Sequence, residues 1–210
     1  MAPPLITITR EYASGGSDVA QLAARALGWT VIDNEFVDAV ARRAGLPADA
    51  VAQREERAPG LLERLARTLA NASPELFTGP AVTQAERDEA TIHTIVERII
   101  HEAAADGRVV LVGRGAQAIL ARRPDALHVY VVASKPWRVK FAVERMGVDP
   151  ARAEKVLEDT DRRRDEYVKT YYGRARRAAA NYDLVVNAER LGLEGAAAVV
   201  VAEAKRRQWT

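Results

Sequence analysis

The sequence has no cysteine, which excludes a disulfide framework, thiolate zinc sites and a cysteine nucleophile. It has almost no excess of charge: 31 Lys and Arg face 29 Asp and Glu, a net of +2. A chain so balanced is not expected to bind nucleic acid generally, and with 48% hydrophobic residues it is not expected to stay unfolded. Long hydrophobic runs are missing too. The most apolar stretch, Ala196 to Ala202, is too short to cross a bilayer. The first residues, Met-Ala-Pro-Pro-Leu-Ile-Thr, offer neither a charged n-region nor an apolar h-region, so the expectation is a soluble, cytoplasmic protein with no membrane partner. No internal repeat, linker or low-complexity tract interrupts the chain.

What is present fits one globular domain, since 210 residues lie nearer one domain than two. Leu5 to Thr9 is a short β-branched run, followed by a glycine turn and an Ala/Leu-rich helical pattern over 18–27 closed by Gly28. Trp29 to Ile32 is a second strand ending at Asp33. From Glu35 to about Asp106 the pattern is helical, broken only at Gly and Pro, and reads as an insertion between strands. Arg108 to Val112 and Leu127 to Ala133 are apolar runs of the kind buried on both faces of a parallel sheet. Ser134 stands as N-cap of a helix to Met146, Pro150 precedes a longer helix, Asp183 to Val186 is a last strand, and 193–207 a closing helix. Five strands alternating with helices predict an α/β fold: a mostly parallel five-stranded sheet with helices on both faces, a core over about 1–34 and 107–210, and the insertion over about 35–106.

Ligands of such sheets bind at the carboxyl ends of the strands. That rule nominates Arg10 to Ser17, Asp33 to Glu35, Gly113 to Gly115 and Ser134 to Arg138. The first of these has the length of a nucleotide phosphate loop, G-x-x-x-x-G-K-[ST], in which backbone N–H groups hold phosphates, a lysine adds charge and the last hydroxyl meets magnesium. Gly15 and Ser17 match. Arg10 stands at the first glycine and Gly16 at the lysine, so by local pattern the segment is either a phosphate site or simply a turn. Between Arg152 and Arg177 basic residues outnumber acidic ones, a concentration that suits a phosphate ligand better than a long polyanion.

Taken together, Ile6 to Ser17, Ile32-Asp33-Asn34-Glu35, Val112-Gly113-Arg114-Gly115-Ala116, Thr160 to Tyr167 and Asn181-Tyr182-Asp183-Leu184 resemble the cytidylate kinase-like family of P-loop nucleoside monophosphate kinases, in order from about residue 5 to about 205. The resemblance implies a phosphotransferase that moves the γ-phosphoryl group of ATP to CMP or dCMP with Mg2+. It implies that Arg10, Ser14, Gly15, Gly16 and Ser17 bind ATP phosphates, with Ser17 on the metal. Asp33, Arg42 and Arg114 would serve the acceptor, and Asp161, Arg163 and Arg164 a lid over about 150–178 that closes on ATP. Ala13 replaces a glycine common in such loops, and Gly115 stands where related kinases often have Asp.

Phosphoryl transfer demands positioning and charge stabilisation rather than a protein nucleophile, so the lack of a Ser-His-Asp device accords with this reading. Arginine suits it because guanidinium grips phosphate oxygens bidentately and stays charged. Plainer readings stand beside several of these residues. Arg162, Arg163 and Arg164 point about 100° apart on a helix and cannot all face one ligand, and a helix laced with pairs such as Glu158 and Arg162 is also an ordinary solvated face. Asp33 also fits a turn or N-cap, and His93, Glu97 and His101 fit a helix surface better than a metal site. His128 reads as a packed or edge residue, and Tyr167 and Tyr171 as lid packing. Beside the kinase stand a nucleotide-binding regulatory protein with little turnover and a kinase for another small acceptor. Oligomeric state is not readable.

Overall fold

The computed structural model describes residues 3–33, 93–94, 97–98, 100–113 and 115–209. The chain divides into two compact units, Met1–Asp33 with Ala104–Thr210, and Asn34–Ala103. The first unit carries the sheet and the site.

Its elements run in the order β1 (Leu5–Arg10), α1 (Gly16–Leu27), β2 (Thr30–Asp33), β3 (Val109–Val112), α2 (Ala116–Ile119), β4 (Ala126–Val132), α3 (Lys135–Met146), α4 (Ala153–Tyr172), β5 (Leu184–Asn187) and α5 (Ala188–Arg206). All strand pairs are parallel and the order across the sheet is β2-β3-β1-β4-β5. Fold class and strand positions agree with the sequence reading. The three inner strands are the apolar runs: every residue of β3 is buried, as is nearly all of β1 and β4. The edge strands β2 and β5 are less covered, each with a single buried residue, Ile32 and Val186.

One face of the sheet is covered by α1 and α5. Val19, Ala20, Ala23 and Ala24 join Ala196, Ala197, Val200 and Ala204 in a single core with Ile6, Ile8, Val110, Val129 and Val131. Elsewhere Ala13, Ala142 and Leu157 bring the loop after β1, α3 and α4 together. Local chemistry sets the helix ends. Gly28 and Gly147 close α1 and α3 in the left-handed conformation, and Ser134 accepts the Trp137 amide at the start of α3. Two details differ from expectation. The short α2 between Gly115 and Leu120 was not anticipated, and α5 begins at Ala188, where Asn187 caps it, before kinking at Gly192. Its straight part therefore starts where the sequence placed the closing helix.

Because the strands are parallel, their carboxyl ends share one edge. Residues 11–15, Asp33, Gly113 and Ala133-Ser134 all meet there.

Candidate active site

The loop from Arg10 to Ser17 joins β1 to the N-terminus of α1. Gly15 is the N-cap in the left-handed conformation, φ 74°, and offers no side chain to the helix. The first intrahelical bond runs from the Val19 amide to the Gly15 carbonyl at 2.9 Å. The amides of Gly16, Ser17 and Asp18 therefore have no partner within the helix, at the end where the macrodipole is positive. This is the geometry that receives a phosphate.

Ser17 and Asp33 stand at the rim of this helix end. The Ser17 hydroxyl donates to Asp33 Oδ2 at 3.2 Å, and Arg10 Nη2 donates to Asp33 Oδ1, also at 3.2 Å. Asp33 thus lies against the loop after β1 itself, not only at the strand end expected to serve the acceptor. A hydroxyl and a carboxylate are hard oxygen donors, the set that suits magnesium when phosphates and water complete its shell. The residues therefore fit the metal. Among the described residues no group of three or more His, Asp or Glu could hold an ion unaided.

Side chains from α3, α4 and the segment after α4 fasten the loop. The Asp161 carboxylate is 2% exposed, accepting the Tyr12 amide at 2.9 Å through Oδ1 and Arg138 Nη1 at 2.7 Å through Oδ2. Arg138 Nη1 also donates to the Tyr12 carbonyl at 3.2 Å. Arg176 donates to the Arg10 carbonyl at 2.8 Å and to Asp165 at 2.6 Å, with Asp161 Oδ1 at 3.4 Å. Asp161 and Asp165, a repelling pair by sequence spacing, both lie against this guanidinium, and Arg138 adds a second cation to Asp161 and Arg177 one to Asp165. Arg164 donates to the same Arg10 carbonyl at 3.3 Å and lies over the Tyr12 ring at 5.7 Å. Glu11 receives the Ala133 amide at 3.2 Å and faces Arg138 at 3.6 Å, tying the loop to β4 as well.

The structure sorts the expected residues. Gly15, Gly16 and Ser17 form the helix end, and Arg10 and Asp33 adjoin it. Ser14 was expected on phosphate. It is fully buried, with its hydroxyl 2.9 Å from the Glu11 carbonyl and 3.2 Å from that of Val131, so its side chain serves the loop's shape. Asp161 was expected in catalysis; its oxygens are engaged by the Tyr12 amide and Arg138. Arg164 reaches the loop, whereas Arg163 is exposed and lies 3.4 Å from Thr160 Oγ1. Arg42 and Arg114 lie outside the described residues. Arg138, Arg176 and Glu11 were given no individual role from sequence, though Glu11 and Arg138 fall within the nominated strand ends and Arg176 within the basic stretch.

Two departures from the family's pattern have steric counterparts. Ala13 holds a left-handed φ of 57°, strain of roughly 1 kcal/mol that glycine would avoid. Its methyl packs in the cluster with Ala142 and Leu157. At Gly115 a Cβ would run into the Tyr172 ring. Tyr172 belongs to a ring cluster with Tyr167 and Tyr171, whose centroids lie 4.7 Å apart, so α4 ends packed on the turn after β3.

Comparison with known proteins places this arrangement. The model of the cytidylate kinase-like family matches residues 5–190. No curated protein matches the chain in sequence. Among solved structures, the chain is similar to an uncharacterized protein from Eubacterium ventriosum, with TM-score 0.68, 21% identity and coverage of 97% of this chain and 98% of the other. A shikimate kinase from Bacteroides thetaiotaomicron gives TM-score 0.53, 15% identity and coverage of 96% and 98%. One from Acinetobacter baumannii, in complex with shikimate, gives 0.54, 13% identity and coverage of 99% and 96%. At these identities the structures share the fold.

Proposed function

Because the chain belongs to the cytidylate kinase-like family and is thus a phosphotransferase, we propose that it transfers the γ-phosphoryl group of ATP to a nucleoside monophosphate, CMP or dCMP, using Mg2+. The observation that carries the reading is the open N-terminus of α1, with the Ser17 hydroxyl on Asp33 and the Arg10 guanidinium on the same carboxylate. Phosphates seated on the amides of residues 16–18 gain the helix dipole and several N–H bonds at once. Ser17 and Asp33 would hold magnesium, which shields phosphate charge when bound. Arg164, anchored on the loop carbonyl of Arg10, adds a guanidinium on the side of α4.

In this reading the protein's own work is positioning. Asp161, Arg138 and Arg176 fix the peptide groups of Arg10 and Tyr12, so that the loop meets its ligand already shaped. Arg42 and Arg114 are assigned to the acceptor phosphate and Arg163 to closure over ATP. Exclusion of water by the α4 segment would keep ATP from being hydrolysed instead. The partners are small nucleotides. Among the described residues no helix is long and apolar enough to cross a membrane, and the cytoplasm, where ATP is available, is the assigned location.

An ADP-release assay with CMP, dCMP, the other common monophosphates and shikimate tests the reading. Turnover that rises selectively with CMP or dCMP supports it. Equal background with every acceptor, from folded protein, refutes it. Selective turnover with shikimate keeps the phosphotransferase and replaces the acceptor, a reading favoured by the fold shared with two shikimate kinases.

A further inference from the structure

The phosphate loop departs from the common pattern at two positions, an arginine where the first glycine belongs and a glycine where the lysine belongs. These positions are six residues apart in sequence and touch in space. A Cβ built on Gly16 would fall 2.5 Å from Arg10 Cβ and 3.1 Å from Arg10 Cγ, with Val131 Cβ at 3.5 Å on another side. The first two contacts are with the stem of Arg10, close to its backbone, where a side chain cannot swing aside cheaply. Only one of the two residues can carry a side chain. The common motif gives it to the helix; here it belongs to the strand.

We infer that Arg10 and Gly16 are one reciprocal exchange, in which the phosphate-binding cation enters the loop from the end of β1 and Gly16 is bare to let it pass. The route of the side chain supports this. From its stem beside Gly16, Arg10 runs past Gly113, where a Cβ would collide with Nη1, and ends on Asp33. Gly113 is thus the second residue kept bare for the same guanidinium. Asp33 carries that guanidinium on one oxygen and the Ser17 hydroxyl on the other, so the cation sits one carboxylate away from the helix end. Arg10 is only 6% exposed, and a guanidinium keeps its charge under such burial where an ammonium would be more easily neutralised. The arrangement delivers a fixed positive charge without needing a lysine to fold back over the loop.

The inference rests on the reading of this loop as an ATP site and concerns ATP binding, not the acceptor. The test compares full-length wild type with Arg10→Gly, Arg10→Met, Gly16→Lys and the double variant Arg10→Gly with Gly16→Lys. Calorimetry with ATP and with inorganic tripolyphosphate is the readout, and thermal unfolding checks that each variant folds. Arg10→Met keeps a stem beside Gly16 while removing the charge, so it reports even where Arg10→Gly unfolds.

Both Arg10 variants are expected to bind ATP at least about tenfold more weakly. Gly16→Lys alone, forced against Arg10, is expected to lose affinity and stability. The double variant, which rebuilds the common motif, is expected to return to within about threefold of wild type. An Arg10→Met protein that binds ATP like wild type overturns the inference. So does a folded double variant no better than Arg10→Gly, because an Arg10 serving only as the structural partner of Asp33 would not be rescued by a lysine at 16. Wild type that fails to bind either ligand overturns it as well. Wild type that binds ATP but transfers phosphate to no acceptor defeats the kinase reading and leaves the exchange standing.

Discussion

Replacing Asp161 by Asn isolates the load borne by the buried network under the phosphate loop. The substitution keeps shape and one acceptor but presents an NH2 group to a guanidinium or to the Tyr12 amide. Arg138, 8% exposed, loses its 2.7 Å partner, and Arg176, 5% exposed, loses one at 3.4 Å. Breaking a buried ion pair from one side costs about 3–5 kcal/mol. Asp165 remains on Arg176 at 2.6 Å and Glu11 lies 3.6 Å from Arg138, so the lower end, about 3 kcal/mol, is expected. For a chain of this size that lowers Tm by about 6–12 °C. Thermal unfolding followed by circular dichroism measures it. The KM for ATP should rise as well, because the Tyr12 amide loses its anchor. A double-mutant cycle with Arg138→Met should show a coupling above about 1 kcal/mol, since removing the guanidinium removes the uncompensated charge. A Tm within about 2 °C of wild type, or additive single effects, would refute the reasoning.

Further expectations follow from the same geometry. Arg164→Ala removes a side chain that bonds the Arg10 carbonyl and should lower both Tm and ATP affinity, while exposed Arg163→Ala should change stability by less than about 0.5 kcal/mol; equal destabilisation by the two would contradict the placement. Gly115→Asp restores the acid often found in related kinases but drives a Cβ into Tyr172 at φ 72°, so a loss of about 1–3 kcal/mol and no gain in turnover is expected from denaturant unfolding and the ADP assay. Burial holds the His128 imidazole below its ordinary range. The folded protein therefore binds fewer protons than the unfolded one below about pH 6.5, and this contribution to stability, complete above that pH, is lost as pH falls toward the folded value, at up to about 1.4 kcal/mol per unit. His128→Asn should flatten that slope in denaturant titrations between about pH 7 and pH 5, and an unchanged slope would count against it.

The elements that position the site were readable because their signals are local. Uninterrupted apolar runs marked the inner strands, Ser134 marked the start of α3, and Gly28 the end of α1. The open N-terminus of α1 was readable for the same reason, since it needs only a strand, a glycine turn and a helical pattern in sequence. What holds it was not. Arg176 bonds a carbonyl 166 positions earlier, and Arg138 meets a loop residue 126 positions away. No spacing rule reports such pairs. Ser14 and Asp161 show a different limit of local pattern: their side-chain oxygens bond the protein's own backbone and arginines, and burial cannot be read from residue type. His128, read as a packed or edge residue, is buried on an inner strand. It sits on β4 with Nδ1 2.7 Å from Thr7 Oγ1. The Glu158–Arg162 pairing was wrong in partner only: Arg162 meets Asp159 at 2.8 Å, and Glu158 meets Lys135 at 2.7 Å across from α3.

The central claim is that the first turn of α1 is where the transferable phosphate sits. A crystal structure of the protein with magnesium and a non-hydrolysable ATP analogue tests it most directly. The account requires the terminal phosphates on the amides of residues 16–18, the metal held by Ser17 and Asp33, and the Arg10 guanidinium turned toward phosphate oxygen. A nucleotide bound elsewhere, with this turn unchanged and Arg10 still on Asp33, would contradict it.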